Sequence, residues 1–244
     1  MKKTCALIVI LCAAAAGFSQ SLFKGNAMHD AVNSCNYENV RKLILKTSDK
    51  NLWAFFSKEY GRDEYGRTPV YNLLGCDNFE GVKILNALIV LNDIKKLGIK
   101  FDGVYDNDNA TPFYTFAETG NLTMVKIFAD KNFRQEMDGV LQKAQKDNYD
   151  VLLTPSLGKL SFNVNAQNRG GYSPADAAAD RIKDGSFKNF REKYIDILNV
   201  ISAAGGKTTA SSPSEDFFVK AKDNKKYNEA VADVKTAGGQ IGFK

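Results

Sequence analysis

Residues Asp63–Leu88 read DEYGRTPVYNLLGCDNFEGVKILNAL, and their order restricts what this part of the chain can become. A tight glycine-containing turn comes first, then Thr68-Pro69. Proline at the first helical position forfeits nothing, because its missing N–H would have been an orphan donor there. A threonine just before it suits the capping of the first-turn N–H groups. The pair therefore predicts an abrupt start to a short helix carrying Val70, Leu73 and Leu74. Asp77-Asn78 then reverses the chain with residues that tolerate turns, and Val82, Ile84, Leu85 and Leu88 give a longer apolar pattern of helical spacing.

The same grammar returns at Asp106–Phe128, DNDNATPFYTFAETGNLTMVKIF, and at Asn168–Asp180, NRGGYSPADAAAD. Thr111-Pro112 and Ser173-Pro174 repeat the helix start, and Gly120-Asn121 repeats the reversal. A lone pair of such helices cannot bury its apolar faces, but stacked neighbours bury them together. These segments resemble the ankyrin repeat, whose consensus runs roughly D-x-x-G-x-T-P-L-H-x-A-A followed by G-x-x-x-I-V-x-L-L. The resemblance implies an all-α fold, an ankyrin-type helical solenoid of about five to six helix–turn–helix repeats. It also implies a binding architecture.

A basic start (Lys2, Lys3), an apolar run at Ala6–Ala16 and small residues at Gly17–Ser19 mark residues 1–19 as a cleaved signal peptide. The run is too short for a confident membrane span. Lipoprotein anchoring at Cys12 is not expected, since Leu11 stands where a small residue is wanted. Cleavage leaves 20–244 exported, to a periplasm or outside, without stable membrane insertion. It takes the formal net charge from +5 to +3. Basic and acidic residues are interspersed, so no nucleic-acid footprint is present. In a eukaryotic secretory route, Asn109-Ala110-Thr111 and Asn121-Leu122-Thr123 would be glycan acceptors.

The repeats are expected near 22–60, 61–104, 105–134, 135–162, 163–207 and 208–244. In the first, Asn26 stands as the cap and His29, the single histidine, falls on the family's structural histidine, which hydrogen-bonds the turn. Asn51–Phe56 carries Trp53 and predicts a packed extra helical turn. Gly98 is expected to end the long second helix of the second repeat. In the fourth, Gly139–Ala144 aligns with a first helix, Asp147-Asn148 with the turn and Tyr149–Leu153 with a second helix, without Thr-Pro. Alanine-equivalent positions Ala31, Leu73, Phe116, Ala144, Ala178 and Ala221 are 42, 43, 28, 34 and 43 apart, against the family's ~33. Gly205-Gly206 is expected to end the second helix of the fifth repeat, Ile195–Ala204. Asp216–Ala237 gives a polar closing helix pair, as an array ending in water requires.

Gly206-Lys207-Thr208 ends like a phosphate-binding loop, but Ile201 replaces the required glycine and a helix precedes it. One histidine with no accompanying nucleophile or cysteine cluster argues against an enzyme, a metal or any other cofactor. Cys35 and Cys76 remain after cleavage, an even pair in an oxidising compartment. Both fall at the turn after a first helix in adjacent repeats. Stacking at ~8–10 Å exceeds the ~7 Å Cα limit of a bridge, so a disulfide and two buried free thiols both remain open.

Family contacts lie on finger tips and on the outward faces of first helices. By that resemblance the partner-binding positions are Glu64, Tyr65 and Arg67; Asn107, Asp108, Glu118 and Thr119; and Arg169, Tyr172, Asp180 and Arg181. Tyrosine and arginine are enriched at interface hot spots. The expected function is a monomeric protein-interaction scaffold with another protein as partner. The alternative is an inhibitor, immunity-type protein or exported effector that blocks a target enzyme with the same surface.

Overall fold

The computed structural model describes residues 26–57, 61–101, 106–184 and 189–209, and every regular element among them is helical. The expected leader at 1–19 and the closing pair at Asp216–Ala237 lie outside these residues. The elements are α1 (Ala27–Asn33), α2 (Tyr37–Lys46), α3 (Asp49–Phe56), a 3-10 helix (Pro69–Gly75), α4 (Phe79–Lys95), α5 (Pro112–Thr119), α6 (Leu122–Ala129), α7 (Lys131–Asn148), 3-10 turns at Val151–Leu153 and Leu157–Lys159, α8 (Pro174–Lys183) and α9 (Arg191–Ala203).

Two rows result. In the inner row α1, the 3-10 helix, α5 and α8 each pack on the next; in the outer row α2, α4, α6 and α9 do the same. Local chemistry starts the helices. The side-chain oxygens of Asn36, Asn78 and Asn121 cap α2, α4 and α6 by accepting the N–H of Asn39, Gly81 and Met124. Asn26 caps α1, Thr111 caps α5, and Ser173 with Asp176 forms a capping box on α8. Polar side chains tie each inner element to the next unit. Asn72 Nδ2 donates to the His29 carbonyl at 2.9 Å, Asn121 Nδ2 to that of Leu73 at 2.7 Å, and the Tyr194 hydroxyl to that of Glu118 at 3.1 Å. Gly120 takes a left-handed φ of 79°, and a Cβ there would press on that same tyrosine hydroxyl at 3.0 Å.

Several positions differ from the sequence-based expectation. Thr68 does not cap. The Tyr71 N–H that its hydroxyl would accept is taken by the Thr68 carbonyl at 3.0 Å, as a 3-10 helix demands, and Thr68 Oγ1 is buried with no hydrogen-bond partner among the described residues. Lys96, not Gly98, takes the left-handed position closing α4. In α3, Leu52 is buried but Trp53 is 52% exposed. Asn121 is buried, so its glycan sequence is closed in the fold, whereas Asn109 is exposed. His29 is buried, and its Nε2 donates to the Gly61 carbonyl at 3.1 Å.

The largest difference concerns 135–162, which supplies no unit to either row. α8 packs directly on α5, and α9 on α6. Residues 131–160 leave the stack as a strap over its outer row. α7 runs without a break through the expected boundary at 134/135, and Phe133, Met137, Leu141 and Ala144 lie on its core-facing side. The 3-10 turns that follow pack on α4 and α7. Asn86, fully buried midway along α4, secures them: its Nδ2 donates to the carbonyls of Leu152 and Thr154 at 3.0 Å, and its Oδ1 accepts the Ser156 N–H at 2.9 Å.

Cys35 and Cys76 are joined as a disulfide with Cα atoms 5.3 Å apart. This is closer than stacked helix axes because both residues lie in turns beyond the helices, Cys35 in a left-handed conformation (φ 48°). The bridge closes a separation of 41 residues, which by loop entropy is worth about 3–4 kcal/mol. Chemical denaturation of Cys35→Ser/Cys76→Ser should show a loss of that order against the oxidised parent; equal midpoints would contradict the bridge. Ser173→Ala should cost ~1 kcal/mol. Thr68→Ala should stay within roughly 0.5 kcal/mol, since no bond is lost. Thermal melts of the two variants check that order.

Candidate functional site

Three tight turns precede three of the inner elements and share one bonding pattern. In each, the first residue's N–H donates to the fifth residue's carbonyl: Asp63 to Arg67 (3.0 Å), Asp106 to Ala110 (3.1 Å) and Asn168 to Tyr172 (3.0 Å). In each, the fourth residue's N–H returns to the first carbonyl, and that fourth residue is left-handed: Gly66, Asn109 and Gly171, at φ 74°, 60° and 80°. The first side chain fills the turn. Asp63 Oδ1 accepts from the N–H groups of Tyr65 and Arg67, Asp106 Oδ1 from those of Asp108 and Ala110, and Asn168 Oδ1 from that of Tyr172.

The turns are also bonded edge to edge. The Asn107 N–H donates to the Tyr65 carbonyl at 2.8 Å, and the Arg169 N–H to the Asp108 carbonyl at 2.6 Å. Asn107 Nδ2 adds a bond to the Glu64 carbonyl, and Asn109 Nδ2 one to that of Gln167. A Cβ at Gly66 would stand 2.4 Å from Asn107 Oδ1, so a side chain there would displace the Asn107 amide that ties the two fingers. The three fingers form one continuous edge.

Of the expected contact residues, Glu64, Tyr65, Asn107, Asp108 and Arg169 stand exposed on this edge. Arg67, Asp108, Glu118 and Arg169 line a groove of about 370 Å³ together with Asp106, Tyr114 and Asn168. Some of these charges are already matched internally. Arg67 Nε meets the buried Asp106 carboxylate at 3.2 Å, its guanidinium lying over the rings of Tyr65 (5.4 Å) and Tyr71 (5.9 Å). Arg181 pairs with Glu118 at 3.4 Å. Thr119 donates its hydroxyl back to the Thr115 carbonyl.

Two expectations change. Tyr172 is half-buried against Ala110, Tyr114 and Ala177, so it is packing as well as surface. Asp180 is half-buried next to Lys183, and burial pushes its carboxyl above the usual range. Asp106, Tyr114 and Asn168 were not singled out in the sequence, although Asp106 and Asn168 occupy the place of Asp63 in the five-residue pattern. Burial and the nearby Glu118 raise the Tyr114 phenol, so it stays a neutral hydroxyl, and it accepts from Asn168 Nδ2 at 3.1 Å.

A second cleft, of about 620 Å³, lies at the back between α2, the start of α4 and the strap. Its polar groups satisfy one another. Asp150 Oδ2 accepts both the Tyr37 hydroxyl and Arg41 Nε at 2.7 Å. Glu80 accepts the Tyr37 N–H and pairs with Lys83, whose ammonium lies over the rings of Tyr37 and Phe79. Burial, then Asp150, pushes the Tyr37 phenol up. This is a latch holding the strap to the first unit. Among the described residues, no three or more His, Cys, Asp or Glu gather to hold a metal, and no helix is long and apolar enough to cross a membrane.

No known family model matches this chain, and no curated protein matches it. Geometry therefore carries the functional argument, and it separates the finger edge from the opposite one. There Asp77 accepts the Thr123 N–H at 2.8 Å and pairs with Lys193, closing three units together. Burial raises the Asp77 carboxyl, but the Lys193 bond and the Thr123 bonds outweigh it, leaving it lowered. A lowered carboxyl stabilises the fold above its unfolded value, near ~3.9, and that contribution disappears as pH falls through the folded value. Asp77→Asn should therefore be less stable than the parent at neutral pH, with the gap closing below about pH 4; denaturation midpoints across pH check this. A gap independent of pH would count against the ion pair.

Proposed function

We propose that the chain is an exported, ankyrin-type helical solenoid that binds another protein through its finger edge and inner row. It works as an interaction scaffold, a monomer without cofactor and not an enzyme. Four features support this: the shared bonding of the three fingers, the two helical rows, the Thr-Pro and Ser-Pro starts, and the buried histidine bonded to a turn carbonyl. The observation that carries the binding role is the ordered edge of the fingers. Bonds from turn to turn fix the three fingers, and they leave Tyr65 58% exposed beside the charges of Glu64, Asp108 and Arg169, unpaired among the described residues. By contrast, Asp150 and Glu80 in the back cleft and Asp77 on the opposite edge are matched internally. A rigid scaffold that presents unsatisfied aromatic and charged groups from ordered turns is suited to protein recognition.

Affinity capture from the native source, read by mass spectrometry, tests the surface. Tyr65→Ala with Arg169→Ala should reduce recovery of the partner by about tenfold or more, since single hot-spot truncations cost ~2 kcal/mol. Lys143→Ala with Lys146→Ala, exposed on the strap, should leave recovery unchanged. Tyr172 is a poor probe because its loss would also disturb packing. Recovery that survives the first pair and fails with the second would move the working surface to the back.

A further inference from the structure

We infer that the partner segment is extended and carries two basic side chains followed by an acidic one, matched to the three fingers in order. This rests on the finger-edge function proposed above and narrows it to a partner chemistry. The inference comes from which charges the fold leaves unused. On the working face Arg67 is held by Asp106 and Arg181 by Glu118, so these four are largely neutralised in place. Glu64 on the first finger, Asp108 on the second and Arg169 on the third are exposed, and none of them has an ion-pair partner among the described residues. Asp108 and Arg169 are direct neighbours, joined through backbone at 2.6 Å, yet their side chains do not pair. The edge therefore reads acidic, acidic, basic.

The surroundings of each tip fit the complementary charge. Glu64 adjoins the exposed Tyr65, whose ring already carries Arg67, so its own carboxylate is the group that draws a partner cation to this tip. Asp108 and Arg169 both line the 370 Å³ groove. A partner carboxylate entering there would find Arg169 and the neutral Tyr114 hydroxyl as donors. An extended chain repeats side chains on one face about every 6.6–7 Å, and hydrogen-bonded neighbouring chains lie about 5 Å apart. The partner's spacing is the wider by about 2 Å per step, which long Lys and Glu side chains can span, so alternate residues of one strand can address successive fingers. A segment with every sign inverted would set like charges together at every finger, which lowers affinity and gives selectivity.

The test is a positional array of short, acetylated peptides on an uncharged background, with Lys, Glu or Ala at three alternate positions and both chain directions included. The full mature chain, fluorescently labelled, is the probe, at low and physiological salt. The expected result is enrichment of Lys-Lys-Glu over Glu-Glu-Lys in one direction by about tenfold at low salt, shrinking as salt rises. Glu64→Lys/Asp108→Lys/Arg169→Glu should invert the preference. These side chains make no internal ion pairs, so the variant should melt with the parent, and that melt is the control. Absence of a charge order, or an order the triple variant leaves unchanged, overturns the inference. The two failures are distinguishable. If partner capture still depends on Tyr65 and Arg169 while the array shows no order, only the charge pattern is wrong. If an order persists in the triple variant and capture ignores the tyrosine–arginine pair, the finger edge is not the working surface.

Discussion

A helix that is apolar on every side has to be covered on every side, and α4 imposes that condition on this molecule. Val82, Ile84, Leu85, Ala87, Leu88, Ile89, Val90 and Leu91 are all buried, and they cover the helix surface all round rather than one stripe. A two-row stack shields such a helix from the inner elements and from its row neighbours, but its back would face water. The strap closes that side. Leu152, Leu153 and Leu157 are buried there, and burying an aliphatic side chain of this size is worth about 1.5–3 kcal/mol each. Asn86 turns the same contact into a register. Three bonds to the strap backbone satisfy a polar group that would otherwise be costly at this depth.

The inner row solves a different problem. Short helices have many unpaired terminal groups relative to their length. Here one unit's side chains complete another's backbone: Asn121 caps its own helix with oxygen and serves the carbonyls of Leu73 and Leu74 with nitrogen. The fingers extend this economy outside the helices. Each closes on its own first side chain and then bonds its neighbour, so the tips are held firmly while the side chains of Glu64, Tyr65, Asp108 and Arg169 remain available.

Much of this was legible in the sequence because it is local. Thr-Pro and Ser-Pro marked inner starts at Pro112 and Pro174, and Asn78 and Asn121 stood at the reversals that begin outer helices. D-x-x-G at Asp63 marked the finger. The degenerate copies of that finger at Asp106 and Asn168 were also readable, because aspartate and asparagine can both fill the first position. What was not legible depends on partners distant in sequence. Nothing around Gly139 says whether its helix enters a row or crosses behind one; that choice is made by Asn86, about fifty residues earlier in the chain. Thr68 failed for a subtler reason, since a 3-10 start gives the capping donor to the backbone. The Cys35–Cys76 bridge was obscured by reasoning from helix axes when both residues sit in turns.

The strap also changes what kind of folding object this is. A simple linear array has energies that are sums over neighbours, so its ends can open while its middle persists. Here the Tyr37 hydroxyl meets Asp150 across 113 residues of sequence, and Asn86 meets Ser156 across 70. These contacts bind the first and second units to a segment made only after the third. Loss of the first unit therefore disturbs the centre, and unfolding from that end becomes cooperative rather than progressive. The cost appears in kinetics, because contacts of long sequence separation must be assembled before they contribute stability. Until the strap arrives, the back of α4 is an uncovered apolar surface, and a chain emerging N-terminus first spends that interval exposed to aggregation.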